Sequence, residues 1–409
     1  MTKSNSRRRR RRSEYVARYD GGANRFPRGD EACQQLVEKA EQAVRANDDN
    51  IRLIPEGSSG SYFVSDGYGA TLGVFKPMDE EPFGPQNPKW PKMLQRVLCF
   101  CCFGRKCLIP NHGYLSEAAA SLVDTRLQLG IVPPTRVVRI VSPVLHYSKG
   151  QRASGTLPPK TGSFQQFVTD YQPATIWIQR WKTGENILPD KLKKRFLVLF
   201  QKLVILDYII RNTDRHLDNW LIKYEAETET LDLAAIDNGL AFPFKHPIET
   251  SRWRRFPFAW TALQEAKEPF CPEVRELVLP KLNDVRWVVR LADDVWRLFR
   301  QARDEHDYNR QLTRGQMRVL LGQMWNLRQA LRKGESPAEL VARQPLLASR
   351  RSQHPRLREF IDHIEQISSH ISSRRRRRTK SPADPPTWRK TFRVKRAHVS
   401  ARRVGCFCM

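Results

Sequence analysis

Asp207-Tyr-Ile-Ile-Arg-Asn212-Thr-Asp214-Arg-His-Leu-Asp218-Asn219-Trp-Leu-Ile222 is the stretch on which the fold of this chain turns. Ahead of it Leu192, Phe196, Leu199, Phe200, Leu203, Leu206 and Ile210 recur at three- and four-residue steps, the period of a buried helix. Behind it Trp220-Leu-Ile222 opens an apolar strand. A charge-dense loop wedged between apolar elements is costly to bury. Within it Asp214 and Asn219 stand five residues apart. The first offers a carboxylate that accepts a proton, the second an amide oxygen that suits a hard cation.

The same chemistry continues on both sides. Eighteen residues past Asn219, Leu231-Asp-Leu-Ala-Ala-Ile-Asp237-Asn-Gly239 puts a carboxylate at the end of an apolar strand, where its position is fixed for a metal ion. Upstream, Gly57-Ser58-Ser59-Gly60-Ser61 immediately precedes a strand, and small residues there let backbone N–H groups cradle anionic phosphate. Lys76, in Gly73-Val-Phe-Lys76-Pro77, ends the next strand and faces that loop across a hairpin signalled by Asp66-Gly67-Tyr-Gly69. A glycine turn or a strand-end lysine alone has an ordinary explanation, a hairpin or a solvated cation. Order and spacing together match a kinase: a loop and a lysine on ATP phosphates, Asp214 accepting the attacking hydroxyl's proton, and Asn219 and Asp237 holding Mg²⁺.

The remaining pattern predicts an α+β, two-lobed kinase-like fold. Residues 51–168 are strand-rich, with a further β-branched run at Thr135–Val141. Between the strands, Tyr114–Leu129 has helical spacing, and Gly130 is placed to close it in a left-handed cap. After Pro189 the stripes in Val288–Phe299 and Gln316–Leu331 predict a mainly helical half. The expected division is a basic tail over residues 1–30, a strand-rich N-lobe over 31–168, a helical C-lobe over 169–345 and a second basic tail over 346–409.

The chain has 409 residues, 40% of them hydrophobic, enough for a sizeable core. Its formal charge of +28 is concentrated at the ends. Residues 1–30 carry ten basic side chains against three acidic, and 374–409 carry thirteen against one. Such tails read as disordered and as partners for a polyanionic surface. No uncharged apolar run approaches the roughly 18 to 20 residues that span a bilayer, and no apolar stretch follows Arg7–Arg12 as in a signal peptide. The eight cysteines are therefore expected in a reducing compartment rather than in disulfides.

Six of those cysteines fall in two places. Lys89-Trp90-Pro-Lys92 through Cys99-Phe-Cys101-Cys102-Phe-Gly-Arg105-Lys106-Cys107 mixes cations, an indole, apolar side chains and thiols, which suits a bilayer interface with acylated cysteines. Zinc is disfavoured, because a second cysteine pair at metal spacing is missing. Cys406-Phe-Cys408-Met409 fits the C-a-a-X prenylation pattern loosely, with Arg393, Lys395, Arg396, Arg402 and Arg403 upstream.

The segments Gly57–Val64, Val74–Pro77, Glu80–Pro82, Asn87–Trp90, Asn111–Ala118, Gly162–Gln165, Asp207–Ile222 and Ala235–Phe244 resemble, in order, those of the type II phosphatidylinositol 4-kinases. The resemblance implies transfer of the ATP γ-phosphate to the 4-hydroxyl of phosphatidylinositol, with Mg²⁺ or Mn²⁺, on the cytosolic face of Golgi, endosome, vacuole or plasma membrane. It places a nucleotide between the lobes against a hinge at Gln165, Gln166, Phe167 and Val168. It makes Lys76 the phosphate lysine, Asp214 the catalytic aspartate and Asp237 a metal ligand, with Asn219 at the second loop position. His216-Leu217 departs from a Gly-Asn pair common in that family, and Leu98–Cys102 has one thiol fewer than its Cys-Cys-Pro-Cys-Cys acylation motif. Glu117 could pair with Lys76 or face solvent. Two other readings remain: a protein kinase of the same fold, and a non-enzymatic basic nucleic-acid binder, for which no recognised module is present.

Overall fold

Alternating and β-branched residues in the first half form the strands that their pattern predicts. The computed structural model describes residues 30–82, 84–88, 105–185, 187–250, 256–301, 308–347 and 395–396. β1 (Ile51–Leu53), β2 (Tyr62–Ser65), β3 (Thr71–Pro77), β4 (Thr135–Ile140) and β5 (Lys160–Gln166) make one antiparallel sheet in the order β1-β2-β3-β5-β4. The β2–β3 turn lies where the sequence puts it. Gly69 adopts φ +88°, and Asp66 Oδ1 accepts from the N–H groups of Tyr68 and Ala70 at 3.0 Å each. β3 and β5 approach closely at Gly73, where any side chain would strike the Phe164 ring. Helix α1 (Asp30–Ala46), which the sequence pattern left unassigned, buries Ala40 and Val44 against Tyr62, Val64 and Phe75 in the core of this sheet.

Helix α2 (Gly113–Leu127) follows and is buried along nearly its whole length. It closes on Gln128 at φ +62°, whose N–H reaches the Asp124 and Thr125 carbonyls; the expected cap, Gly130, is also left-handed but lies two residues further on. The exit is dictated by the Asp124 carboxylate. It accepts from the N–H groups of Gly130, Ile131 and Val132, so the chain turns there before β4.

In the second half β6 (Gln172–Pro173), β7 (Trp220–Glu225) and β8 (Thr230–Ala235) form a small antiparallel sheet. Around it pack α3 (Ala174–Thr183), α4 (Asp190–Ile210), α5 (Pro272–Asn283), α6 (Val285–Phe299), α7 (Arg310–Lys333) and α8 (Pro337–Ala342). The predicted stripes of Val288–Phe299 and Gln316–Leu331 fall within α6 and α7. On α4, Phe196, Phe200, Leu203, Leu206 and Ile210 are all buried, and Phe196 packs against the rings of Trp181 and Trp220. At about 1.5–3 kcal/mol for each large apolar side chain taken from water, this helix anchors the lobe and fixes where the loop after it begins.

Leu346–Leu347 pairs with Lys395–Arg396 as a two-stranded antiparallel ladder. The tail readings over residues 1–29, 348–394 and 397–409, including Cys406, fall outside the described residues. So do Lys89, Trp90, Lys92, Cys99, Cys101 and Cys102. No described helix is long and apolar enough to cross a membrane.

Candidate active site

Lys76 lies on the part of β3 that pairs with β5, and its ammonium meets carboxylates from two distant elements. Nζ donates to Glu117 Oε1 on α2 at 2.6 Å and to Asp237 Oδ1, beyond β8, at 3.0 Å. Glu117 is 2% exposed and its other oxygen accepts from the Asn238 N–H at 2.9 Å, so it is a cleft residue and not a surface one. Burial pulls the lysine pKa down, but Asp237 and Glu117 outweigh it and the net direction is up. Conversely Lys76, against the desolvation that opposes it, holds the Asp237 carboxyl below its ordinary value. Lys76 and Asp237 are therefore both charged at neutral pH. Asp237 sits at φ +53°, a left-handed conformation, and its carboxylate is half-exposed.

The loop after α4 is held by a buried arginine. Arg215, 1% exposed, donates Nε to both oxygens of Asp207, Nη1 to the carbonyls of Asn219 and Ile236, and Nη2 to Asn238 Oδ1. Trp260 Nε1 completes the Asp207 site at 3.0 Å. One guanidinium thus ties the end of α4, the loop and the segment after β8 together, using the planar fork that lysine lacks. The backbone of Asp214 is clamped as well: its N–H donates to Asn212 Oδ1 at 2.8 Å, and its carbonyl accepts from Asn219 Nδ2 at 2.7 Å. Its carboxylate Oδ1 accepts from Arg105 Nη2 and from His216 Nε2.

With Nδ2 donated to Asp214, the remaining polar atom of Asn219 is its carbonyl oxygen. Ile236 N–H bonds the Asn219 carbonyl at 3.2 Å, which brings Asn219 beside the segment carrying Asp237. One carboxylate and one amide oxygen form a hard donor set that fits a divalent ion completing its shell with phosphate and water oxygens. Among the described residues there is no cluster of three or more His, Cys, Asp or Glu that would cage a metal alone.

The Gly57–Ser61 bend lies between β1 and β2. Gly57 takes φ +82°, Ser58 O accepts from Asn87 Nδ2 at 3.0 Å, and the Ser59 and Ser61 hydroxyls are 3.3 Å apart. Gly60 packs on Glu80 so tightly that a Cβ there would collide with its carboxylate, and its N–H bonds the Glu80 carbonyl at 2.9 Å. At the hinge, Gln165 is buried with its amide on Thr135 Oγ1 at 2.9 Å, so its side chain does not face the cleft as a ligand group. The N–H groups of Gln166 and Phe167 bond Pro134 and Leu72, and the Phe167 ring meets Phe63 edge-on at 5.8 Å. Val168 follows where these sheet bonds end.

Several site-building residues escaped the sequence reading. Buried Glu80 accepts from Lys160 Nζ at 2.7 Å, Tyr62 OH at 2.5 Å and His146 N–H at 3.0 Å, bracing the glycine bend. Its neighbour Glu81 accepts from the N–H groups of Gly113 and Tyr114, the start of α2; burial pushes its carboxyl up to about 7 although both donors favour the charged form. Two consecutive acids just after a strand are a visible signal, but their partners lie 18 to 80 residues away. Cys107 corrects an expectation: it is fully buried, so a lipid cannot reach its thiol in the folded chain. Among the described residues Cys33, Cys107 and Cys271 are free thiols.

Most of the chain is similar to known proteins. A profile described as "Phosphatidylinositol 3- and 4-kinase" matches residues 57–314. Phosphatidylinositol 4-kinase type 2-beta of Rattus norvegicus is 47% identical over 347 residues, covering 75% of this chain and 70% of that protein. The type 2-beta protein of Gallus gallus is 44% identical, covering 78% and 72%. The type 2-alpha protein of Xenopus laevis is 43% identical, covering 81% and 76%.

Proposed function

The chain belongs to the phosphatidylinositol 3- and 4-kinase family, and from that premise we propose that Lys76, Asp214, Asn219 and Asp237 carry its chemistry. It is a phosphatidylinositol 4-kinase, which moves the γ-phosphate of ATP to the 4-hydroxyl of phosphatidylinositol and yields phosphatidylinositol 4-phosphate. The observation that carries the site assignment is the meeting of Lys76, Glu117 and Asp237 from a strand, a helix and a loop. Charged groups so arranged are preorganised for the phosphates of a nucleotide and its metal, which is where phosphoryl transfer gains most of its rate.

In this reading residues 31–168 cover the nucleotide and 169–345 present the catalytic loops. The Gly57–Ser61 bend and Lys76 hold phosphates, and the hinge from Gln165 to Val168 borders the base. Asp214 accepts the proton of the attacking hydroxyl. Asn219 and Asp237 would hold the divalent ion, Mg²⁺ or Mn²⁺, which supplies neutralisation of phosphate charge when bound. The test is product analysis with phosphatidylinositol vesicles and labelled ATP: phosphatidylinositol 4-phosphate is expected, and label on protein or on another ring position overturns the reading.

Lys76→Met is expected to lower kcat/KM for ATP at least about 10²-fold, the scale of losing one preorganised donor to phosphate charge, while vesicle flotation is unchanged. Nucleotide binding measured beside flotation checks this. Normal ATP use with lost flotation would reverse the two assignments.

Membrane attachment falls to the Lys89–Cys102 segment and the basic ends, with acyl chains on Cys99, Cys101 and Cys102 as one signal and cations as the other. The cytosolic face of Golgi, endosome, vacuole or plasma membrane is the compartment proposed. Replacing those three cysteines by Ser should move the protein from the vesicle pellet to the supernatant and abolish label in a palmitate-exchange assay. Cys107→Ser should leave that label unchanged, because its thiol is buried. Unlabelled wild-type protein would leave only electrostatic and Trp90-led attachment.

A further inference from the structure

His216-Leu217 belongs to the catalytic loop, yet the proposed chemistry gives the pair no part. We propose that His216 is a positioning residue for Asp214, fixing Oδ1 of the carboxylate so that Oδ2 is presented to the acceptor hydroxyl. This rests on Asp214 being the proton acceptor.

A carboxylate oxygen only accepts, so the 2.9 Å contact from His216 Nε2 to Asp214 Oδ1 places the ring proton on Nε2. Arg105 Nη2 donates to that same oxygen. Two donors converge on Oδ1, and among the described residues none donates to Oδ2. The main chain of Asp214 is already tied through Asn212, through Asn219 and through the His216 N–H, which bonds the Asp214 carbonyl at 2.9 Å. The freedom left to the residue is in its side-chain torsions, and the two donors set those. Arg105 is the inner donor, with a side chain 24% exposed, and His216 the outer one at 68%.

Leu217 explains how an exposed imidazole keeps its place. It packs against the large apolar cluster beneath the loop, so the backbone next to His216 is pinned from below. The family's more common Gly-Asn pair would offer neither the imidazole nor the apolar anchor. The effect of this braced donor belongs in the rate of transfer, not in binding.

During transfer the hydroxyl oxygen bonds to the γ-phosphorus while the bond from that phosphorus to the β,γ-bridging oxygen breaks, and ADP leaves with the electron pair. The hydroxyl proton passes to Asp214 Oδ2. His216 exchanges no proton in the step; it holds the acceptor still.

The experiment measures full-length protein on phosphatidylinositol vesicles with Mg-ATP, comparing His216→Phe, which keeps a ring without a donor, with His216→Gln, which keeps a donor. His216→Phe is expected to lose about tenfold in kcat, a part of the roughly 10²- to 10⁴-fold that a positioned acid or base contributes. KM for ATP and for lipid should stay within about twofold, the melting temperature should not move, and His216→Gln should recover most of the rate. Should His216→Phe fail to fold, His216→Ala against His216→Gln makes the same comparison. Wild-type kcat in His216→Phe, or equal losses in the Phe and Gln variants, overturns the proposal while Asp214→Asn remains inactive. An active Asp214→Asn instead removes the premise itself, so the two failures are distinguishable.

Discussion

Asp214→Asn and Asp237→Asn are each expected to reduce lipid kinase turnover at least about 10²-fold with the circular dichroism spectrum unchanged. Asparagine matches aspartate in shape but can neither accept the hydroxyl proton nor bring an anionic oxygen to a cation, and losing such a group commonly costs that much. The two variants should differ in a second respect. Asp237 shares Lys76 with Glu117, so Asp237→Asn leaves that ammonium paired on one side only and should also weaken ATP binding. Asp214 touches Arg105 and His216 and makes no contact with Lys76, so Asp214→Asn should leave ATP binding close to normal. Turnover and nucleotide binding are measured on the same preparations. Retention of more than about a tenth of the rate by either variant means that the loop has been misassigned.

Arg215→Met is expected to cost about 3–5 kcal/mol of folding stability, because it strands a fully buried carboxylate. Asp207 and Arg215 are both 0% exposed at the side chain, and Trp260 Nε1 alone does not neutralise an ion. Burial already pushes the Asp207 carboxyl upward with the arginine in place, and without it the proton is held more tightly. The sign follows from linkage. A carboxyl whose folded pKa is raised destabilises the fold above its unfolded value of about 3.9, so the loss should be largest at neutral pH and shrink as pH falls toward that value. Urea unfolding at pH 7.5 and 5.0 reads it. An equal loss at both pH values would mean that packing, not charge, sets the cost. Activity should fall too, since the same guanidinium fixes the carbonyl of Asn219 and that of Ile236, which immediately precedes Asp237.

What the amino-acid sequence determined by itself is whatever is encoded over short spans. The helix at Asp190–Ile210 is written in its three- and four-residue apolar steps, and the β2–β3 hairpin in Asp66-Gly-Tyr-Gly69. Asp214 and Asn219 are five residues apart on one loop, so local geometry alone brings them together, and the structure joins them by a 2.7 Å hydrogen bond. Tertiary structure decided the pairings that cross the chain. Glu117 lies on α2, a helix buried nearly all round, so its own sequence does not say which face meets the cleft; only docking against β4 and β5 showed that it meets Lys76, 41 residues away. Arg105 reaches Asp214 across 109 residues, and Glu80 reaches Lys160 across 80. Cys107 looked like one more thiol of a lipid-bearing cluster until the chain folded over it. Burial and ion pairing of this kind depend on which surfaces the whole chain removes from water together, and a side chain's own neighbours in sequence carry no record of that.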